Sequence, residues 1–319
     1  MDRVLSQLRA AAEPTRLRLL ALCARGAFRV SDLCELLGQS QPRLSRHLRL
    51  LVEAGLLERV PEGSNAYFGL PPDADLARLI VARLPEEDPQ LAADRRQAVR
   101  LAAERAREAS ETFRRLGSDW DEVRALGLSA PAIERAMLDL LPPRIGAFLD
   151  IGTGTGRLLE LVAPRAERAF GIDASREMLA LARARFAEHG VADRCAVRQA
   201  DMYRLPLPDQ AFDVVALQMV LHYAEDPAAA LAEAARVLRP EGLLVVVDLE
   251  AHGRSELLER HAHRWPGFDD ASLAGWLGAV GCAPLPPRVV EGALPVRIWP
   301  SRRMPGRVAA PAVSAALTF

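Results

Sequence analysis

Residues 148–159, FLDIGTGTGRLL, constrain the chain more than any other stretch: an apolar run enters a turn with Gly152, Gly154 and Gly156 and leaves into a helical pattern. Alternate glycines let the backbone turn tightly off a strand, leave it bare for a ligand, and let the next helix pack close to the sheet. The N-terminus of that helix then points at whatever is bound. The spacing is D-x-G-x-G-x-G, with Arg157 where a dinucleotide loop would carry its third glycine, and no Lys-Ser/Thr pair follows to make a phosphate loop.

Further strand patterns follow at regular intervals. Residues 168–173 end on Asp173, about twenty residues past the first glycine, where an acid accepts the two ribose hydroxyls of a nucleotide. Residues 197–202 end on Asp201 and Met202, residues 212–217 lead into Gln218, Met219 and His222, and residues 243–248 follow a helix closing near Gly242. In this order the stretches resemble the class I S-adenosylmethionine (SAM)-dependent methyltransferases. The resemblance implies a Rossmann-like α/β domain with a mostly parallel seven-stranded sheet, SAM as cofactor and S-adenosylhomocysteine (SAH) as product. It implies Asp150, Gly152, Gly154 and Gly156 around the amino acid part of SAM, Asp173 and Ala174 at the ribose, and Asp201 and Met202 at the adenine. Gln218 and Met219 fall at the carboxyl edge of the sheet, where ligands bind in such folds.

The length of 319 residues leaves room for two domains with separate cores, and a half-apolar, quarter-charged composition fits a globular protein. No apolar run reaches the length of a membrane span and no apolar signal region opens the chain, so a cytoplasmic location without membrane contact is expected. Cys23, Cys34, Cys195 and Cys282 form no C-x-x-C pair and read as reduced thiols. Every basic residue is Arg rather than Lys, and residues 1–70 hold ten Arg against seven acids although the whole chain is near neutral. The basic excess sits at the front.

There, residues 13–23 have helical spacing with Pro14 in the first turn, and Ser31 is expected to cap a second helix that Gly38 ends. Ser40 caps a third, with Leu44, Leu48 and Leu51 as its apolar stripe and Arg43, Arg46, His47 and Arg49 on other faces without an acid among them. Residues 56–60 and 66–70 read as a hairpin wing. The runs AEPTRLRLL at 12–20 and SQPRLSRHL at 40–48 resemble the ArsR-type winged-helix regulators. The resemblance implies a double-stranded DNA operator as partner, with Ser40, Gln41, Arg43, Ser45, Arg46, His47 and Arg49 facing DNA, where arginine reads guanine or meets phosphate. It also implies a homodimer, two recognition helices for two half-sites. Many ArsR-type proteins sense metal through a Cys-x-Cys pair; the matching positions here are Arg29 and Ser31, and no metal is expected.

Residues 1–85 thus form the expected DNA-binding domain, 86–142 a helical connector with cofactor-roofing helices, 143–300 the methyltransferase domain, and 301–319 a disordered tail. Leu76, Leu79, Ile80 and Leu84 share the helical face that ArsR-type proteins use for dimerisation, and residues 91–116 read as a solvated spacer helix. Trp120 either stacks near SAM or packs in a core.

Methyl transfer from SAM demands alignment more than catalysis, because the donor is already activated. A strong cofactor signature beside a weak catalytic one is therefore expected. His222 is the candidate base. His261 and His263, with His252 nearby, are placed on the acceptor side, since on a helix His-x-His would not converge on a metal. Arsenite is excluded as acceptor because this half carries only two cysteines, Cys195 and Cys282. Two readings stay open: a regulator fused to a methyltransferase acting on a small-molecule acceptor, and a non-catalytic SAM/SAH-sensing repressor of methyl-cycle genes.

Overall fold

The computed structural model describes residues 1–62, 65–71, 74–85, 87–116, 128–252 and 263–305. The chain divides into two compact units, Met1–Thr112 with Arg176–Arg198, and Phe113–Ser175 with Gln199–Phe319.

The first unit opens with α1 (Asp2–Ala11), α2 (Pro14–Cys23), β1 (Phe28–Arg29), α3 (Val30–Leu37) and α4 (Gln41–Glu53), followed by the hairpin β2 (Glu58–Glu62) and β3 (Asn65–Gly69). Glu13 caps α2 by accepting from Arg16 N at 2.9 Å. The α3 cap differs from expectation: Arg29, not Ser31, is the N-cap, and Asp32 turns back to accept from Arg29 N at 3.0 Å. An acid at the third helical position holds that turn better than a serine already inside it. Gly38 ends α3 in the left-handed region, φ 63°, as the pattern requires. Leu19, Leu20, Leu33, Leu44, Leu48, Leu51 and Leu56 build the core of this unit. Each fully buried side chain of that size contributes roughly 1.5–3 kcal/mol.

Helix α5 (Asp75–Ala82) turns Ala77 to that core and leaves Leu79 exposed. The long helix α6 (Pro89–Leu116) is not a solvated spacer over its first half. Ala98 and Leu101 join the winged-helix core, and Arg18 donates to both Asp94 oxygens at 2.7 Å. The buried positions Leu91, Asp94, Ala98 and Leu101 fall on one face, while Val99 stays exposed, and the alternating charges obscure that face in the sequence. The DNA-binding unit thus continues well past residue 85. The later segment Arg176–Arg198 belongs to the same unit and contains α9 (Arg176–Glu188) and the start of β6 (Cys195–Gln199).

The second unit is built on α7 (Ala130–Leu138), β4 (Ile145–Ile151), α8 (Arg157–Val162), β5 (Ala166–Asp173), β7 (Phe212–Gln218), α10 (Pro227–Val237) and β8 (Leu238–Leu249). It closes with α11 (Asp270–Ala279), β9 (Cys282–Pro284), β10 (Arg288–Val290) and β11 (Val296–Arg303). The sheet order is β10-β11-β8-β7-β4-β5-β6, with β9 paired to β11. Strand β4 is parallel to β5 and β7, and β7 to β8, whereas β11 is antiparallel to β8, β9 and β10. The sheet therefore has eight strands rather than seven. The additional one, β9, is three residues long, too short to show a period in sequence. Leu149, Ile151, Val215, Leu217, Leu244 and Val246, buried on the central strands, read as unbroken apolar runs as parallel strands do.

The expected tail begins too early. Strand β11 runs to Arg303, Ser301 is fully buried, and Arg303 donates to the carbonyls of Arg236 and Leu238. A charged side chain buried for its hydrogen bonds looks like a tail residue in sequence. Residues 306–319 lie outside the described residues, as do Trp120 and His261. Among the described residues no helix is long and apolar enough to cross a membrane.

Candidate cofactor site and DNA-binding surface

The glycine turn joins the end of β4 to α8. Gly152, Gly154 and Gly156 all have left-handed φ, at 75°, 52° and 72°. A side chain at any of them would be strained, and at Gly152 a Cβ would also collide with the Val220 side chain. The turn that follows β7 therefore lies directly on the glycine loop.

Asp173, at the end of β5, fixes that loop. Its Oδ2 accepts from Gly154 N and its Oδ1 from Ser175 N, both at 2.8 Å. Burial holds its carboxyl above the ordinary range, while the backbone donors Ser175, Gly154 and Ala174 act in the opposite direction. Asp150 is only 2% exposed, and burial pushes its carboxyl up to about 7, opposed by a hydrogen bond from the Thr153 side chain and reinforced by the Asp173 charge. Two acids in one dry turn favour a cationic ligand. Gln218 Oε1 is a buried oxygen without a hydrogen-bond partner among the described residues, and the Thr153 hydroxyl meets only the Asp150 carboxyl. Such groups are costly unless something binds them. Thr153 is a site residue that the sequence pattern did not single out.

The remaining predicted cofactor residues gather at the same sheet edge. Ala200 N donates to Asp173 O at 3.2 Å and Gln199 Nε2 to Ala174 O at 2.8 Å, bringing the Asp201-Met202 turn beside the end of β5. Asp201 is exposed and accepts from Tyr203 N at 3.0 Å, while Met202 packs partly on the core. Gln218 ends β7, and Met219 follows with φ 53°, a left-handed conformation costly for a side chain with a Cβ. A backbone donation from Met219 N to Val247 O at 2.8 Å holds it.

His222 lies one turn further on. It is buried, and its Nδ1 is 2.6 Å from Asp248 Oδ1, with both side chains at 1% exposure. The same carboxylate accepts from Leu221 N at 3.0 Å, His222 N at 3.3 Å and Leu249 N at 2.8 Å. His263 stands beside it, ring centroids 4.3 Å apart, and the Tyr223 ring lies tilted by 45° with its centroid at 4.2 Å. His263 thus joins the candidate base. Asp248 is a further residue of this candidate site that sequence reasoning missed; an acid at the end of a central strand was its only signal. A carboxylate fixed by three backbone donors orients an imidazole and stabilises its protonated form.

In the first unit, a groove of about 510 Å³ is lined by Gln41, Ser45 and Arg49 of α4, by Arg29, and by Arg59 and Phe68 of the hairpin. Ser40, Gln41, Arg43, Arg46 and Arg49 are exposed and Ser45 is half-buried. His47 departs from expectation: its side chain, 15% exposed, turns to Glu13 with Nδ1 3.6 Å from Oε2. The helical period explains this, since position 47 is three residues past Leu44 and four before Leu51 and so borders the buried stripe. Arg59, overlooked in sequence, adds positive charge to the groove, whereas Arg29 is paired with Asp32 at 3.2 Å and Glu53 also lines it.

A winged helix-turn-helix unit and a doubly wound unit with a SAM-type glycine loop define the class of protein. Residues 13–59 match the family described as bacterial regulatory protein, arsR family, and residues 149–246 that described as methyltransferase domain. The chain thus carries one region that matches the ArsR-family helix-turn-helix and another that matches the methyltransferase domain. It is 41% identical over 123 residues to a 37.1 kDa protein of transposon TN4556 from Streptomyces fradiae, covering 37% of this chain and 34% of that protein. It is 37% identical over 114 residues to phosphatidylethanolamine N-methyltransferase of Cereibacter sphaeroides, 36% of this chain and 56% of that one. The matched parts thus span between a third and just over half of these relatives. The crystal structure of geranyl diphosphate C-methyltransferase from Streptomyces coelicolor, with Mg2+, geranyl diphosphate and SAH, shares the fold: TM-score 0.50, 14% identity, 55% of this chain and 77% of that one.

Proposed function

We propose that this chain is a DNA-binding transcriptional regulator whose second unit binds SAM and transfers its methyl group to a small-molecule acceptor bearing a removable proton. The buried His222 and Asp248 pair carries this reading, because a cofactor sensor has no need of an oriented base beside its ligand site.

The glycine turn fits SAM. Bare backbone, two acids and the buried Gln218 oxygen, without a partner among the described residues, meet a ligand that carries an ammonium, a sulfonium and a ribose diol. When bound, SAM supplies a methyl group activated by its sulfonium. Asp150 and the glycines hold its amino acid part, Asp173 and Ala174 the ribose, Asp201 and Met202 the adenine, and Gln218 with Met219 closes the edge. Asp248 keeps Nδ1 of His222 as the protonated nitrogen, so that Nε2 accepts the proton leaving the acceptor. His263 and Tyr223 line the acceptor side.

In the first unit, α4 enters the major groove through Gln41, Arg43, Ser45, Arg46 and Arg49, with Arg29 and Arg59 at its flank. Val4, Leu5 and Leu8 of α1 and Leu79 of α5 are exposed apolar residues that a second copy would cover, giving a homodimer for two half-sites.

Incubation with methyl-labelled SAM and a pool of small-molecule extracts tests the enzyme reading. Label should pass to a small product with the wild type and not with His222→Ala. A protein that binds SAM tightly but transfers label to nothing would favour the sensor reading instead.

A further inference from the structure

The hairpin β2–β3 has two working faces. Along β2, Arg59 and Pro61 are exposed, whereas Glu58 and Val60 are half-buried and Glu62 is buried, the alternation of a strand covered on one side. Arg59 and Phe68 line the groove beside α4. The opposite face carries Glu58, Glu62 and, across from Val60, Tyr67.

That second face is held by the segment Arg176–Arg198. Arg183 of α9 donates to both oxygens of Glu62, at 3.1 and 2.6 Å, and Glu62 is 3% exposed. The same guanidinium lies 3.8 Å over the Tyr67 ring. Arg198 of β6 donates to Glu58 at 2.5 Å. A bidentate pair with a stacked aromatic fixes direction as well as distance. The position of Arg59 on one face is thereby set by Arg183 and Arg198 on the other.

Helix α9 starts three residues after Asp173, and Ser175 N is already tied to the Asp173 carboxylate. We propose that residues 176–198 are a clamp on the wing, through which SAM bound at the glycine loop sets the affinity of the groove for DNA. A ligand that engages Asp173 acts on the first residues of α9, and Arg183 passes the displacement to Glu62 and Tyr67. This inference rests on the SAM site and the DNA surface proposed above, and it gives them a common regulation. Coupling of this kind is typically ~5–150-fold in affinity and acts in both directions.

The test uses the full chain and a fluorescent duplex of the DNA immediately upstream of its own gene, at one salt concentration. Duplex affinity is measured without ligand and with saturating SAM, and SAM binding is measured separately by calorimetry. Arg183→Ala strands the buried Glu62 charge, so the paired variant Glu62→Gln with Arg183→Met, which leaves no charge, accompanies it. The wild type should change its duplex affinity about fivefold or more with SAM. The paired variant should bind SAM and duplex but lose that change. Retention of the full change in the paired variant overturns the clamp while sparing both sites. A wild type that binds SAM and duplex with no change also overturns the clamp alone, and one that binds either not at all overturns the underlying reading with it.

Discussion

His222 Nδ1 and Asp248 Oδ1 are 2.6 Å apart in a part of the second unit where neither side chain is more than 1% exposed. Asp248 also accepts three backbone N–H groups, so the carboxylate is fixed before the imidazole meets it. His222→Ala is expected to lower methyl transfer by about 10²–10⁴-fold, the usual contribution of general acid–base catalysis, with SAM affinity retained. Asp248→Asn should lower kcat in the same direction and shift its pH profile, since the tautomer is no longer imposed. Steady-state kinetics with calorimetric SAM titration check both. A His222→Ala protein that is merely less stable but transfers methyl normally would reduce the pair to a fastening of the turn.

Asp150 makes SAM affinity depend on pH. Its carboxyl titrates at about 7 in the folded chain, against 3.8 ordinarily, and a cationic ligand prefers the ionised form. SAM affinity should rise as pH increases through 7 and then level off, and Asp150→Asn should flatten that dependence. The stability effect has the opposite slope. A carboxyl raised on folding favours the protonated folded state, so its contribution falls as pH rises from about 4 to about 7. In the absence of ligand, Asp150→Asn should therefore gain on the wild type above pH 7, by ~4 kcal/mol at most. Denaturation at pH 5 and pH 8 measures it.

The ion pair of Arg18 with Asp94 ties α2 to α6, with Asp94 5% exposed at its side chain. Asp94→Ala strands a guanidinium that is mostly buried and should destabilise the first unit by ~3 kcal/mol. SAM affinity should be unaffected. Chemical denaturation followed by a probe in α6 distinguishes this from a spacer helix, for which the substitution would be neutral.

The DNA surface separates its arginines from its histidine. Arg46→Ala, Arg49→Ala and Arg59→Ala should each weaken duplex binding, by roughly 1–3 kcal/mol with relaxed specificity where a base is read, or with a shallower salt slope where only phosphate is met. His47→Ala should leave affinity unchanged, because that ring faces Glu13. Anisotropy titrations at several salt concentrations read both quantities.

Much of this was legible in the sequence where a backbone requirement leaves a residue signature. Three left-handed positions demand Gly152, Gly154 and Gly156, and the unbroken apolar runs of buried parallel strands announce β4, β7 and β8. What stayed hidden depends on packing between distant segments. Asp248 acquires a role only when the turn after β7 brings His222 to it. Asp94 looks like one more charge on a charged helix until Arg18 is placed opposite. Arg183, in an Ala- and Arg-rich helix, gives no sign that Glu62, more than a hundred residues earlier, is its partner. His47 was misread for a smaller reason, one position's rotation from the buried stripe.

Calorimetric titration of SAM into the wild type and into Gly154→Arg tests the central claim most directly. Gly154 adopts φ 52° and gives its N–H to Asp173, so an arginine there strains the loop and fills the cradle. The wild type should bind one SAM per chain, and the variant should bind none while keeping its affinity for duplex DNA. Absence of binding by the wild type, or equal affinity in the variant, would contradict the assignment of the glycine loop as the cofactor site.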